Sequence, residues 1–300
     1  MDTEKTKGIV YAIAAYTLWG FLTLYWKLID NVFSIEILSN RIVWAFVFTI
    51  LIIAVTKQWG ELKNIVKDKK QMFYIFIAAI LIAINWGVYI WAVNADKIVD
   101  ASLGYYINPL LAVALGVLIF KEKLDFWTWT AILVAAIGVI IKTVEFGKVP
   151  WISFVLAISF ALYGAIKKSV KASSIVGLTL ETAILAPVAA AYIVSRHLGG
   201  IGAFDTQGTL VISILLGSGV VTAIPLLLFA SSAKRIPLSL VGLTQYISPT
   251  ISLIIGVFMY HEGFTKVDMI AFCFIWAALA IYSASQMGFV KNKIDIEQVS

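Results

Sequence analysis

The sequence predicts an all-α integral membrane protein whose ten transmembrane helices form two inverted five-helix repeats. Three observations carry that expectation. The 300 residues are 61% hydrophobic and 13% charged, with a mean hydropathy of +0.95, where soluble domains run about 45–50% apolar and about 25% charged. Apolar windows of about 20 residues, long enough to cross a bilayer core of roughly 30 Å, recur from end to end and leave no room for a sizeable soluble domain. A shift of 140 residues also lays one half of the sequence over the other.

Only helices or closed barrels satisfy backbone polar groups in lipid, and the windows lack the alternation of barrel strands. The first span, 8–28, is read as a retained helix, because Trp19, Tyr25, Trp26 and Lys27 stand where a cleaved signal would need small residues. The second, 34–56, carries Arg41 roughly 10 Å inside the span at 1.5 Å per residue. The third, 72–94, contains NWGVYIWAVN, which places Asn85, Trp86, Tyr89, Trp91 and Asn94 on one helix, with Asn85 and Tyr89 on one face. The fourth, 100–120, holds Tyr105, Asn108 and Pro109 in its apolar part, and the fifth is 126–145. Trp26, Trp59, Trp127, Trp129 and Trp151 fall at span ends, as an interfacial aromatic belt requires.

The sixth span, 151–168, includes Tyr163, and the seventh, 174–194, carries Glu181 and Pro187. Pro225 marks the eighth, 210–232; Gln245, Tyr246 and Pro249 mark the ninth, 236–259. The tenth, 267–287, holds the single cysteine, Cys273, expected to be a small packing residue. One cysteine excludes an intrachain disulfide and a cysteine metal cluster.

Under the 140-residue shift, SLGYYINPLLAVALGVLIFKE lies over GLTQYISPTISLIIGVFMYHE. Leu103, Tyr106, Ile107, Pro109, Gly116, Val117 and Glu122 meet identical residues, seven in 23 pairs over Asp100–Glu122, against roughly two expected from an apolar-biased composition. The chain therefore reads as a duplication, with a first repeat over 1–147 and a second over 148–300. Five is odd, so the second copy enters the membrane from the opposite side, the architecture of many secondary transporters. Lysines and arginines agree: 16 fall on the side of both termini and 6 on the other, which puts both termini in the cytoplasm. Cytoplasmic Lys121-Glu122-Lys123 corresponds to His261-Glu262-Gly263 outside, as an inverted duplicate requires. The net charge of +6 therefore reads as an orientation signal in short loops, with no nucleic-acid partner implied.

Arg41 and Glu181 are repeat equivalents and the two clear charges within spans. A charge near the bilayer centre costs at least about 2.5–3.5 kcal/mol and by default marks a pathway. In one reading Arg41 attracts an anionic group of a solute, while Glu181 contacts an amine or carries a proton. In the other, both only lock helices together. Asn85, Trp86, Tyr89, Tyr105, Asn108, Tyr163, Gln245 and Tyr246 either line a moderately polar cavity with them or join helices by hydrogen bonds. Pro109 and Pro249 each remove an N–H and disturb the carbonyl four residues earlier, that of Tyr105 or Gln245, so both helices are expected to bend. No P-loop, HExxH or GxSxG run is present, and LGGIGAFD (198–205) follows no strand. His197 and His261 read as loop residues. The sequence thus predicts no cofactor, no metal and no enzyme. An integral membrane enzyme using Arg41 and Glu181, or a structural or sensory membrane subunit, stands as the alternative.

The fragments AAYTLWG, EILSNR, NWGVYIWAVN, ASLGYYINPL, FALYG, LET, QYISPT and FIWAALAIY, with the duplication, resemble the EamA branch of the drug/metabolite transporter superfamily and its RarD subfamily over about Gly8 to Tyr282. Tyr106 departs from the phenylalanine expected there. The resemblance implies two inverted EamA repeats around a central cavity. It further implies alternating-access movement of a small metabolite or drug across a bacterial inner membrane. Arg41, Asn85, Trp86, Tyr105, Asn108, Glu181, Gln245 and Tyr246 match positions in those motifs. The implied partners are a small-molecule substrate and the lipid bilayer.

Overall fold

The computed structural model describes residues 3–94, 98–147, 151–260 and 265–286. The first half contains α1 (Thr3–Lys27), α2 (Ser34–Thr56), α3 (Trp59–Lys67), α4 (Lys69–Asn94), α5 (Ile98–Phe120) and α6 (Phe126–Phe146). The second contains α7 (Trp151–Ser169), α8 (Ser174–Leu198), α9 (Ala203–Thr206), α10 (Thr209–Ala233), α11 (Leu238–Thr244), α12 (Ile247–Met259) and α13 (Lys266–Gln286). No strand occurs among the described residues. Among the described residues nine stretches are long and apolar enough to cross a membrane, with α11 and α12 together making one, and Gly104–Phe120 of α5 is a shorter apolar helix. These are the ten spans read from the sequence.

Local chemistry sets several helix ends. Asp125 accepts a hydrogen bond from the Thr128 N–H at 2.8 Å and caps α6; Ser173 accepts from Val176 and caps α8. Lys57 takes a left-handed conformation with φ 55° and stops α2. The chain then enters α3, an element the apolar windows did not reveal because it is short and polar on one side. Leu62 and Ile65 of α3 pack on a cluster that includes Ile53, Ile75 and Val176, while Lys63 and Lys67 stay exposed.

Neighbour relations exchange between the halves. α2 packs on α8 and α6 on α13, each pair being the same span of the two repeats. α1 packs on α10 and α12, as α7 packs on α4 and α5. A five-helix offset converts one set of contacts into the other. Lipid tails are as apolar as leucine, so close contact and interhelical hydrogen bonds must supply the association. At Gly219 of α10 a Cβ would lie 2.2 Å from the carbonyl carbon of Trp44; only a glycine lets these two backbones approach so closely. Outward-facing Val55, Leu118, Phe126, Val188 and Phe258 are largely exposed, as a lipid-facing belt requires. Cys273 is exposed rather than packed, because α13 lies at the periphery against α6.

Candidate functional site

The polar residues expected to share one cavity are distributed over three levels of the bundle. At the level farthest from the N-terminus, Arg41 of α2 donates from Nε to the Thr222 hydroxyl of α10 at 3.1 Å. The Gly219 contact, three residues from Thr222, is what brings α10 within reach. The guanidinium lies 4.6 Å from the ring centre of Trp26 and 4.9 Å from that of Trp86. Such cation–π contacts hold a guanidinium without neutralising it. Tyr89 and Tyr105, ring centres 6.0 Å apart and edge to face, lie within electrostatic reach of Arg41. No carboxylate pairs with Arg41 among the described residues. Arg41, Trp26, Trp86 and Tyr89 are partly exposed, and Tyr105 is 40% exposed.

The middle level is built from interhelical bonds. Asn85 donates to the Leu156 carbonyl at 2.9 Å and to the Ser159 hydroxyl at 3.0 Å; Asn108 donates to the Ala157 carbonyl at 2.6 Å. Both amides tie the first half to α7. The Asn108 Oδ1 and the Tyr16 hydroxyl are buried without hydrogen-bond partners among the described residues, and both residues line a small cavity with Gln245. The expected bends are unequal here. α5 continues through Pro109, whereas the ninth span is interrupted at Gln245 and Tyr246, between α11 and α12. Pro249 has no N–H for the Gln245 carbonyl, and Ser248 donates to that carbonyl instead at 3.1 Å. The disturbed acceptor is therefore satisfied by a tighter turn. Tyr246 is fully buried.

At the level nearest the N-terminus, Glu181 lies 2.6 Å from Lys167 Nζ and accepts from the Tyr163 hydroxyl at 3.0 Å. Glu181 and Lys167 are each 1% exposed, and Tyr163 stacks on Phe229 with ring centres 6.0 Å apart. Hydrogen bonds tie together the helix ends beside this pair. Lys168 donates to the Ile236 carbonyl at 2.6 Å, and Lys234 donates to the Ala172 carbonyl. Burial, with the charge of Lys167 adding, brings the Lys234 ammonium down to about 8. Glu122 accepts from the backbone N–H groups of Leu238 at 2.6 Å and Ser239 at 3.0 Å, and from the Ser239 hydroxyl at 2.7 Å. A carboxylate of the first half thus caps α11 of the second. Gly116 leaves the room for it: a Cβ there would lie 2.5 Å from Glu122 Oε2.

Arg41, Trp86, Tyr89 and Tyr105 therefore come together, while Glu181 and Tyr163 form a separate, closed group. Trp26 joins Arg41 although its place at a span end marked it as belt. Lys167, counted from sequence among the loop cations, is inside the protein, and its spacing from Glu181 gave no warning because the two lie on different helices. The bias of basic residues keeps its direction without it. Glu122, read only as part of an orientation signal, is an interhelical cap. His197 sits in the last turn of α8, its Nδ1 2.7 Å from Asp205. Residues 261–264, with His261 and Glu262, lie outside the described residues, as do the side chain of Asn94 and the first residues of the expected second repeat, 148–150.

Comparison with known proteins is consistent from end to end. Residues 6–144 match the model of the EamA-like transporter family. A Bacillus subtilis (strain 168) protein named uncharacterized transporter YojE is 45% identical over 289 residues, 95% of this chain and 96% of that protein. A Streptomyces exfoliatus protein named RarD is 37% identical over 280 residues, 93% of this chain and 89% of that protein. One crystallographically solved chain matches with a TM-score of 0.69 at 16% identity, covering 91% of this chain and 96% of its own length. That likeness speaks for the fold alone.

Proposed function

The chain belongs to the EamA family of the drug/metabolite transporter superfamily, with RarD homologues among its relatives, and from this premise we propose that it moves a small organic metabolite or drug across the bacterial inner membrane by alternating access. It is a multi-pass membrane protein, the matched family model is that of a transporter family, and the Bacillus subtilis relative is named a transporter. The observation that carries the mechanism is the unequal exposure of the repeat equivalents. Arg41 keeps exposed surface beside two indole rings, and Glu181 is closed off with Lys167 and Tyr163. A site open at one level and shut at the other is what one state of an alternating-access cycle requires.

In this reading the two EamA repeats, 1–147 and 148–300, rock about the pairing of α2 with α8. The excess of basic residues supports a cytoplasmic N-terminal end, and with that orientation the Arg41 site opens outward. Trp86, Tyr89 and Tyr105 meet the solute beside Arg41; Asn85, Asn108, Gln245 and Tyr246 line its further path. Glu181 carries the coupling proton, since its neutralisation would release Lys167 and Tyr163 and loosen the closed end. Counterflow in proteoliposomes tests the reading, with a cysteine at Tyr105 labelled by an impermeant maleimide. Solute-dependent flux and solute-dependent protection of the cysteine are expected. A protein that moves no solute of a broad metabolite and drug panel is not this transporter.

A further inference from the structure

The surroundings of Arg41 also constrain what it can bind. An arginine presents five N–H donors in a planar fork and is charged at every physiological pH. Here Nε is engaged by Thr222, and the four N–H groups of the two terminal nitrogens have no partner among the described residues. The other charges described within the bundle are partnered: Glu181 by Lys167 and Tyr163, Glu122 by the start of α11, and Lys168 by the Ile236 carbonyl. Arg41 is the exception, and it keeps part of its surface exposed. Two indoles lie against it, and the phenols of Tyr89 and Tyr105 are within electrostatic reach.

Resting on the transport reading above, we propose that the substrate is a monoanionic organic carboxylate with an apolar, ring-sized body, bound edge-on by the free fork of Arg41. Three features support this class. The terminal N–H pair of a guanidinium matches the two oxygens of a carboxylate in parallel hydrogen bonds. A single cation with no second basic group described beside it balances one negative charge, not the two of a phosphate monoester. The carboxylate that would hold the ammonium of a zwitterion, Glu181, is already occupied by Lys167 and Tyr163 at 2.6 and 3.0 Å. The surrounding rings offer apolar surface to the remainder of the solute and leave a neutral amide no advantage.

The test uses the purified full-length protein and matched solutes: benzoate, phenylacetate and indole-3-acetate, their amides, phenethylamine and phenyl phosphate. Thermal unfolding midpoints should rise with the acids and not with the amides, the amine or the phosphate ester. Apparent affinity for the acids should fall at least tenfold in Arg41→Gln and be partly kept in Arg41→Lys. Comparing acid with amide on the unaltered protein keeps the test independent of variant folding. Equal response to acid and amide, preference for the amine or phosphate ester, acid binding undiminished in Arg41→Gln, or no response to any acid overturns the inference. Counterflow separates it from the transport reading. Flux of amides or amines without acid preference removes the carboxylate class and leaves transport standing. Acid binding with no flux of any solute supports the site and counts against transport.

Discussion

The hydroxyl of Tyr246 donates to the backbone carbonyl of Tyr106 at 3.2 Å, joining two residues that hold the same place in the two repeats. The bond lies where α5 meets α11 and where the ninth span is broken. A polar contact between equivalent positions means that the pseudo-symmetry axis passes close to them, so the two halves meet there through a pair of like residues.

Tyr246→Phe removes the donor and keeps the ring. Hydrogen bonds between membrane helices average about 0.6 kcal/mol and reach about 1.7. A loss of about 0.5–1 kcal/mol is expected in denaturant unfolding from mixed micelles, and a value near zero would show that the hydroxyl contributes nothing to the junction.

Glu181→Gln leaves the Lys167 ammonium buried without its carboxylate. Removing one partner of a buried pair costs about 3–5 kcal/mol, whereas replacing both by apolar groups is often neutral. The double variant Glu181→Gln/Lys167→Met should therefore be more stable than Glu181→Gln alone. Glu181→Gln that transports with the rate and pH dependence of the unaltered protein would remove Glu181 as the proton carrier.

Gly219→Ala places a Cβ against the Trp44 carbonyl, where backbone cannot yield cheaply. Overpacking of this kind costs about 1–3 kcal/mol. Because α10 must withdraw from α2, the Arg41–Thr222 bond should open as well. Thr222→Val provides the comparison: it breaks the bond without moving the helices, so uptake weakened by Gly219→Ala and untouched by Thr222→Val would locate the effect in helix spacing.

Lys234 gives a pH dependence outside the membrane-spanning segments. Its ammonium titrates at about 8 in the folded chain against an ordinary 10.5, so between those values the unfolded chain binds more protons. Stability then rises with pH across that window, and the penalty for holding the cation is fully present below pH 8. Lys234→Met should lack this rise, as read from the difference between the two unfolding curves at pH 7.5, 9 and 10.5.

The ten spans were legible because in lipid a crossing helix must be apolar over a fixed length, and no packing detail alters that. Arg41, Trp86, Tyr89 and Tyr105 were legible as polar or aromatic residues inside such stretches. Their separation from Glu181 was not, since it depends on Lys167, whose position near a helix end is equally suited to a loop cation. Trp26 was hidden by the same ambiguity between interface and interior. The unequal effect of Pro109 and Pro249 was hidden too: both remove one donor, but only the tertiary environment decides whether the helix continues or tightens around the gap. α3 escaped because nine residues with an apolar side too narrow to span a membrane declare themselves only when Leu62 and Ile65 find a surface.

Glu122 caps a helix that belongs to the other repeat, and α1 and α7 each find their α12 and α5 neighbours across the same divide. Neither half is complete by itself. Severed between α6 and α7, the fragments would be obligate partners inserted in opposite directions, and a single unfused copy would have to populate both topologies in equal amounts to assemble. Joining the copies in one polypeptide fixes that one-to-one stoichiometry and frees each to diverge, which is how Arg41 and Glu181 come to differ at one shared position.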